Sequence, residues 1–304
     1  LLNDDFPASP GIVDAGYLLH GANNDLLALA LDNDGKLMVG GDFTVLDGLN
    51  RNRIARLNTD GTVDGTFLPA AYANNTVTAI KVQPDGKVLI GGSFTVVNGV
   101  TRNRIARLNT DGSLDTSFFN PGSGFNNTVL TIDVQDNKIL VGGEFTTYQG
   151  SGRPYLVRLL SDGTFDATFN LGSGPNSAVR SLELQADGRV LIGGSFTSID
   201  AEPSPRVAML TSTGALDASF DPGEGPNSHV RSVLAQPDGS VLIGGDFNLV
   251  NGTSRNRLAR LTSAGLLDQT FSIGTGANNI IHGLGLQADG KILIGGSFTS
   301  VNGV

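Results

Sequence analysis

The chain has 304 residues, with 20 Lys and Arg against 29 Asp and Glu, a net charge of −9 and no cysteine. The acidic balance argues against nucleic acid or an anionic membrane as the main partner, because phosphates would be repelled. The lack of cysteine excludes disulfides, thiolate metal sites and cysteine nucleophiles. No apolar run approaches the ~20 residues that cross a bilayer as a helix. The 42 glycines and 12 prolines, set among short apolar runs, fit an all-β chain. The chain starts at Leu1 without a visible signal peptide and reads as a mature product or a piece of something longer.

A Gly-Gly pair followed by a polar residue and Phe occurs six times, beginning at Gly40, Gly91, Gly142, Gly193, Gly244 and Gly295. Each step is 51 residues, so six units fill nearly the whole chain. That spacing predicts one domain over residues 1–304, an all-β six-bladed β-propeller with four antiparallel strands per blade.

Within a unit the elements follow in fixed order. The first predicted strand is Val77–Gln83 in the second copy, recurring as VLTIDVQ, VRSLELQ, VRSVLAQ and IHGLGLQ. An Asp-Gly turn follows, as at Asp85-Gly86, and is expected to supply the positive φ angles of a tight hairpin. The third copy has Asp136-Asn137 there and is one residue shorter. The second strand, Lys87–Thr95, carries a Val-Leu-Ile run with no polar face, which predicts burial on both sides. The third strand is Arg104–Asn109, and the short Asp-x-x-Phe segment, such as Asp115 to Phe118, is read as the fourth. The last unit stops after its second strand. Gly11–Tyr17 aligns with Gly61–Phe67, so N-terminal strands are expected to complete the last blade and close the ring.

The order QPDGKVLIGGSF then RIARLNTDGSLDTSF resembles the bacterial delta-60 repeat, and the resemblance covers nearly all of the chain. It implies a propeller in an exported or cell-surface bacterial protein and no particular activity. The double glycine is also similar to that of the kelch repeat, whose tryptophan is absent here.

Most recurring residues have structural readings. The Asp-Gly loops, such as Asn58–Asp64, are weighed as calcium sites against plain turns. Thr213 and Ala264 replace the turn acid while the glycine stays, which favours the turn. No cofactor and no resident metal are expected, calcium being the one candidate. Arg56, Arg107, Arg158 and Arg260 are expected to pair with the Asp-x-x-Phe acid. The loop asparagines Asn23, Asn74, Asn126, Asn176, Asn227 and Asn278 are expected to cap their own turns.

Positions that differ between copies carry more information, because the repeat does not dictate them. The second residue of the first strand runs Leu27, Thr78, Leu130, Arg180, Arg231, His282, and three residues later the series is Ala30, Lys81, Asp133, Glu183, Leu234, Gly285. Lys81, Asp133, Arg180, Glu183, Arg231 and His282 are therefore the predicted ligand-binding set, expected to converge at the mouth of the central channel. After Gly-Gly a second series runs Asp42, Ser93, Glu144, Ser195, Asp246, Ser297. No catalytic residue is assigned: the histidines His20, His229 and His282 lie in no motif. The expected function is a non-catalytic scaffold or interaction module, extracellular or at the cell surface, binding protein or glycan or associating with itself. A lectin and a glycoside hydrolase or lyase at the channel mouth are the alternatives. The lectin would need aromatic platforms such as Tyr72 with Phe125.

Overall fold

The computed structural model describes residues 21–67, 73–118 and 124–304. Among them there is no helix. The first strands of the six repeats are Leu26–Leu31, Val77–Val82, Val129–Gln135, Val179–Leu184, Val230–Ala235 and Ile281–Leu286. The second strands are Leu37–Gly41, Val88–Gly92, Lys138–Gly143, Val190–Gly194, Val241–Gly245 and Ile292–Gly296. In five repeats a third strand follows: Ile54–Leu57, Ile105–Leu108, Leu156–Leu159, Val207–Leu210 and Leu258–Leu261. The second strand lies between the other two in each three-stranded antiparallel sheet. The Asp-x-x-Phe segment joins through one bridge, as in Leu159↔Phe165 and Leu210↔Leu216, rather than as a continuous strand.

The chain divides into two compact units. One is Leu1–Ile90 with Phe94–Arg102 and Ala106–Asp115; the other is Gly91–Ser93, Asn103–Ile105 and Thr116–Val304. The expected N-terminal ring closure rests on residues 1–20, outside the described residues.

Burial follows the apolar runs. Val190–Gly194 and Val241–Gly245 are buried at every position, as a strand covered on both faces requires. In the second unit, one apolar cluster joins Leu140 and Leu156 of repeat three to Val179, Leu182, Val190 and Ile192 of repeat four. Another joins Leu191, Val207 and Met209 of repeat four to Val230, Val233, Val241 and Ile243 of repeat five. The core therefore lies between consecutive sheets. The first glycine of the pair sets how closely they approach in repeats four and five: a Cβ on Gly193 would meet Val230 Cγ1 at 2.7 Å, and one on Gly244 would meet Ile281 Cγ2 at 2.8 Å.

Two turn expectations are corrected. In the Asp-Gly turns only the glycine has positive φ, for example Gly86 at 79°. Gly86 N–H donates to Gln83 O and Gln83 N–H to Lys87 O, which makes a three-residue loop. The aspartate contributes its carboxylate instead, accepting from Lys87 N–H at 3.1 Å. The two-residue turn with both φ positive occurs at Asp136 (49°) and Asn137 (62°), which is why the third copy is one residue shorter. The second correction concerns the loop asparagines. Asn176 Oδ1 accepts from Thr197 N–H at 2.8 Å and Ser198 N–H at 3.2 Å, and its Nδ2 donates to Thr197 Oγ1 at 2.9 Å. It fastens a hairpin 21 residues further on, not its own turn.

That hairpin, absent from the sequence reading, is a pair of two-residue strands such as Ser198–Ile199 with Glu202–Pro203. Its signal was legible in Asn98-Gly99 and Asn251-Gly252, a dipeptide suited to positive φ at both positions.

Candidate functional site

The first strands begin with a bulge. In repeat four, Val179 pairs with Gly194 and Ser181 with Gly193, so Arg180 is left without a cross-strand partner in the ladder. Arg231 sits in the same bulge between Val230 and Ser232, and His282 between Ile281 and Gly283. A bulge re-aims the extra side chain out of the regular alternation. Here it aims each residue at the one that follows its own Gly-Gly pair. Arg180 Nε donates to Ser195 Oγ at 2.9 Å, and His282 Nε2 lies 2.9 Å from Ser297 Oγ. Arg231 grips Asp246 with two bonds, Nε to Oδ1 and Nη2 to Oδ2, the second at 2.9 Å. In repeats four to six the two variable series of the sequence are thus one set of contacts, each bridging 15 residues.

These pairs lie on consecutive first strands of the second unit, and neighbouring residues join them. Arg180 Nη2 is 4.0 Å from Glu144 Oε1. His229, just before the first strand of repeat five, has a buried Nδ1 with no hydrogen-bond partner. Burial and then the Arg231 charge push Arg180 below the usual guanidinium value. Burial also works against the Asp246 carboxylate, but the Arg231 bonds outweigh it and hold Asp246 below the ordinary carboxylate range. Both imidazoles are held below their usual value, by burial first and then by Arg180 for His229 and Arg231 for His282.

The other predicted residues do other work. Asp133 Oδ2 accepts from Leu184 N–H at 3.0 Å, and Glu183 Oε2 accepts from Ala235 N–H at 2.7 Å. Each carboxylate stitches its strand to the first strand of the next repeat, as Ser181 Oγ does for Val233 N–H at 3.1 Å. They sit three residues along the strand from the bulge, ~10 Å at the usual rise. Lys81 lies in the first unit, and its position is described there alone. Of the predicted set, Arg180, Arg231 and His282 occupy the bulges of three consecutive first strands, while Asp133 and Glu183 bond to backbone amides of the next first strand.

The repeating ion pairs are structural, as expected. Arg158 Nε donates to Asp166 Oδ2 at 2.8 Å, and Arg56, Arg107 and Arg260 make the equivalent bond to Asp64, Asp115 and Asp268. Where Met209 replaces the arginine, Arg189 of the second-strand turn reaches Asp217 at 3.4 Å. The turn acid Asp60 is engaged by the Thr62 amide and hydroxyl, and among the described residues no cluster of three metal-ligating side chains occurs. Phe125 is 2% exposed, packed at tilted angles against Phe145 and Tyr148, so it offers no stacking face for a sugar. Tyr72 lies outside the described residues.

No curated protein sequence matches the chain. Among solved structures, the chain is similar to virginiamycin B lyase from Staphylococcus aureus, with a TM-score of 0.58 at 17% identity over 91% of this chain and 80% of that one. It is similar also to the extracellular domain of BT3049 from B. thetaiotaomicron, with a TM-score of 0.52 at 16% identity over 92% of this chain and 32% of that one. At such identities the likeness is one of fold. A family model described as a domain of unknown function (DUF5122) beta-propeller matches residues 33–67, 83–118, 135–169, 185–220, 236–271 and 287–304. The match falls on all six repeats and covers more than half of the chain, which therefore belongs to the DUF5122 beta-propeller family.

Proposed function

We propose that this chain is a six-bladed, non-catalytic interaction module of an exported or cell-surface protein, and that it recognises its partner through the row of bulge residues Arg180, Arg231 and His282. The observation that carries the reading is that row itself. Three repeats use one backbone device to present three hydrogen-bonding or cationic side chains side by side, whereas the equivalent bulge residue of repeat three is Leu130. Positions free of the repeat's packing demands are where a repeat scaffold places recognition. The extracellular domain among the similar structures is in keeping with an exported setting.

A glycan array and a protein capture assay with the wild-type chain and the Arg180→Ala/Arg231→Ala variant test this reading. Loss of recognition in the folded double variant supports it. Unchanged recognition removes the row from consideration.

A second reading, a lyase or hydrolase, draws on His229 and His282, both disposed to be neutral near pH 7 and so able to accept a proton. Asp246, the carboxylate that acts on both imidazoles, is engaged by Arg231, which favours binding over proton transfer.

A further inference from the structure

Arg180 and Arg231 occupy the same place in consecutive repeats, yet their surroundings differ in one respect. Beside Arg231 the residue after Gly-Gly is Asp246, and the guanidinium closes on its carboxylate with two parallel bonds. Beside Arg180 the same position holds Ser195. A single hydroxyl takes Nε, and Glu144 stays 4.0 Å from Nη2, beyond the 2.7–2.9 Å of a charge-assisted hydrogen bond. The fold thus builds a carboxylate-shaped arginine site twice and fills it from within once.

The local charge agrees. Among the charged groups around Arg180 and His229, three guanidiniums, Arg180, Arg206 and Arg231, face two carboxylates, Asp246 and Glu144. This positive surplus stands in a chain of net charge −9. The groups beside Arg180, the Ser195 hydroxyl and the His229 imidazole, offer hydrogen bonds rather than apolar contacts. They suit a ring bearing hydroxyls.

Resting on the interaction reading above, we propose that Arg180 receives the carboxylate of a uronic-acid sugar in the place that Asp246 fills beside Arg231, with the Ser195 hydroxyl and the His229 imidazole beside it to meet the sugar's hydroxyls.

Calorimetric titration with methyl glucuronide, methyl glucoside and a glutamate-terminated peptide tests the proposal. The wild-type chain is expected to bind the glucuronide one to one, and the neutral glucoside at least about tenfold more weakly. Ser195→Asp supplies the missing carboxylate internally and is expected to abolish glucuronide binding, as is Arg180→Ala. Ser195→Asp should melt no lower than the wild type, so its loss of binding is not unfolding. Glucuronide binding that survives in Ser195→Asp, equal binding of the two sugars, or no glucuronide binding overturns the proposal. Arg180-dependent binding of the peptide alone overturns the sugar class. If the array signal depends on Arg180 and Arg231 while the glucuronide fails, the interaction reading stands and this inference falls. If neither depends on them, both fall.

Discussion

A Cβ added to Gly193 would stand 2.7 Å from Cγ1 of Val230, on the first strand of the next repeat. The glycine is therefore a spacing device: it lets one sheet lie against the next with Val230 and Val233 filling the gap. Gly193→Ala is expected to cost about 2 kcal/mol, the usual range for overpacking a core. Gly152→Ala serves as the control, because nothing lies within 4 Å of its added Cβ. Urea denaturation of both variants checks this. Equal midpoints would mean that the double glycine serves something other than sheet spacing.

Much of this was legible in the sequence, because repetition supplies six observations of each position. The Val-Leu-Ile runs announced strands buried on both faces, and Arg158 with Asp166 announced its ion pair by recurring at a fixed offset. What could not be read was direction. Arg180 and Glu183 are three residues apart on one strand, and simple alternation would send them to opposite faces. The bulge at Arg180 breaks that alternation, and no residue type marks it. The fate of Glu183 depended on a neighbouring strand 51 residues away in sequence, whose unpaired amide at Ala235 is visible only once the strands are side by side. Asn176 misled for the same reason. Local capping is the default for asparagine, and here a hairpin brought close by the fold made the better offer.

Because Glu183 Oε2 accepts from Ala235 N–H at 2.7 Å, removing it leaves that amide without its partner. Glu183→Ala is expected to lower stability by about 1–2 kcal/mol, whereas Glu183→Gln keeps an acceptor oxygen and costs less. Neither should change partner recognition, since the Arg180 cluster is untouched. Thermal melts paired with the array measurement separate the two effects. A loss of recognition in well-folded Glu183→Gln would return this residue to the binding set.

Burial works against the Asp166 carboxylate, but the Thr168 hydroxyl and amide, with Arg158, more than compensate and hold it well below the ordinary range. A carboxylate with a depressed folded-state value contributes stability above its unfolded value, near 3.9, and that stability is lost as the pH falls below it. The recurring acids Asp64 and Asp268 are depressed as well, Asp268 to about 2. The chain is therefore expected to lose stability cooperatively below about pH 4. Asp166→Asn should be less stable at pH 7 and show a shallower decline between pH 4 and pH 2.5. Denaturant titrations at those pH values provide the check, and parallel declines for variant and wild type would exclude the pair as an acid-sensitive element.

The histidines act in a higher window and in two opposite directions. His229 faces Arg180, Arg206, Arg231 and Asp246, and His282 faces Arg231, Asp246 and Ser297. Both imidazoles are held below the usual value of 6.5. In the free protein the unfolded chain then takes up more protons as the pH drops through about 6.5, so stability declines there. An anion seated on Arg180 reverses the balance, since its charge favours the imidazolium form. Glucuronide affinity should consequently rise between pH 7.5 and pH 5.5 while the free protein becomes less stable, until the ligand carboxylate itself is protonated near pH 4. His229→Gln and His282→Gln together should flatten both trends. Titration calorimetry in two buffers of different ionisation enthalpy measures the proton uptake directly. Binding without uptake at pH 6 would place the anion away from these histidines, because an imidazole that senses Arg180 cannot ignore a charge set on it.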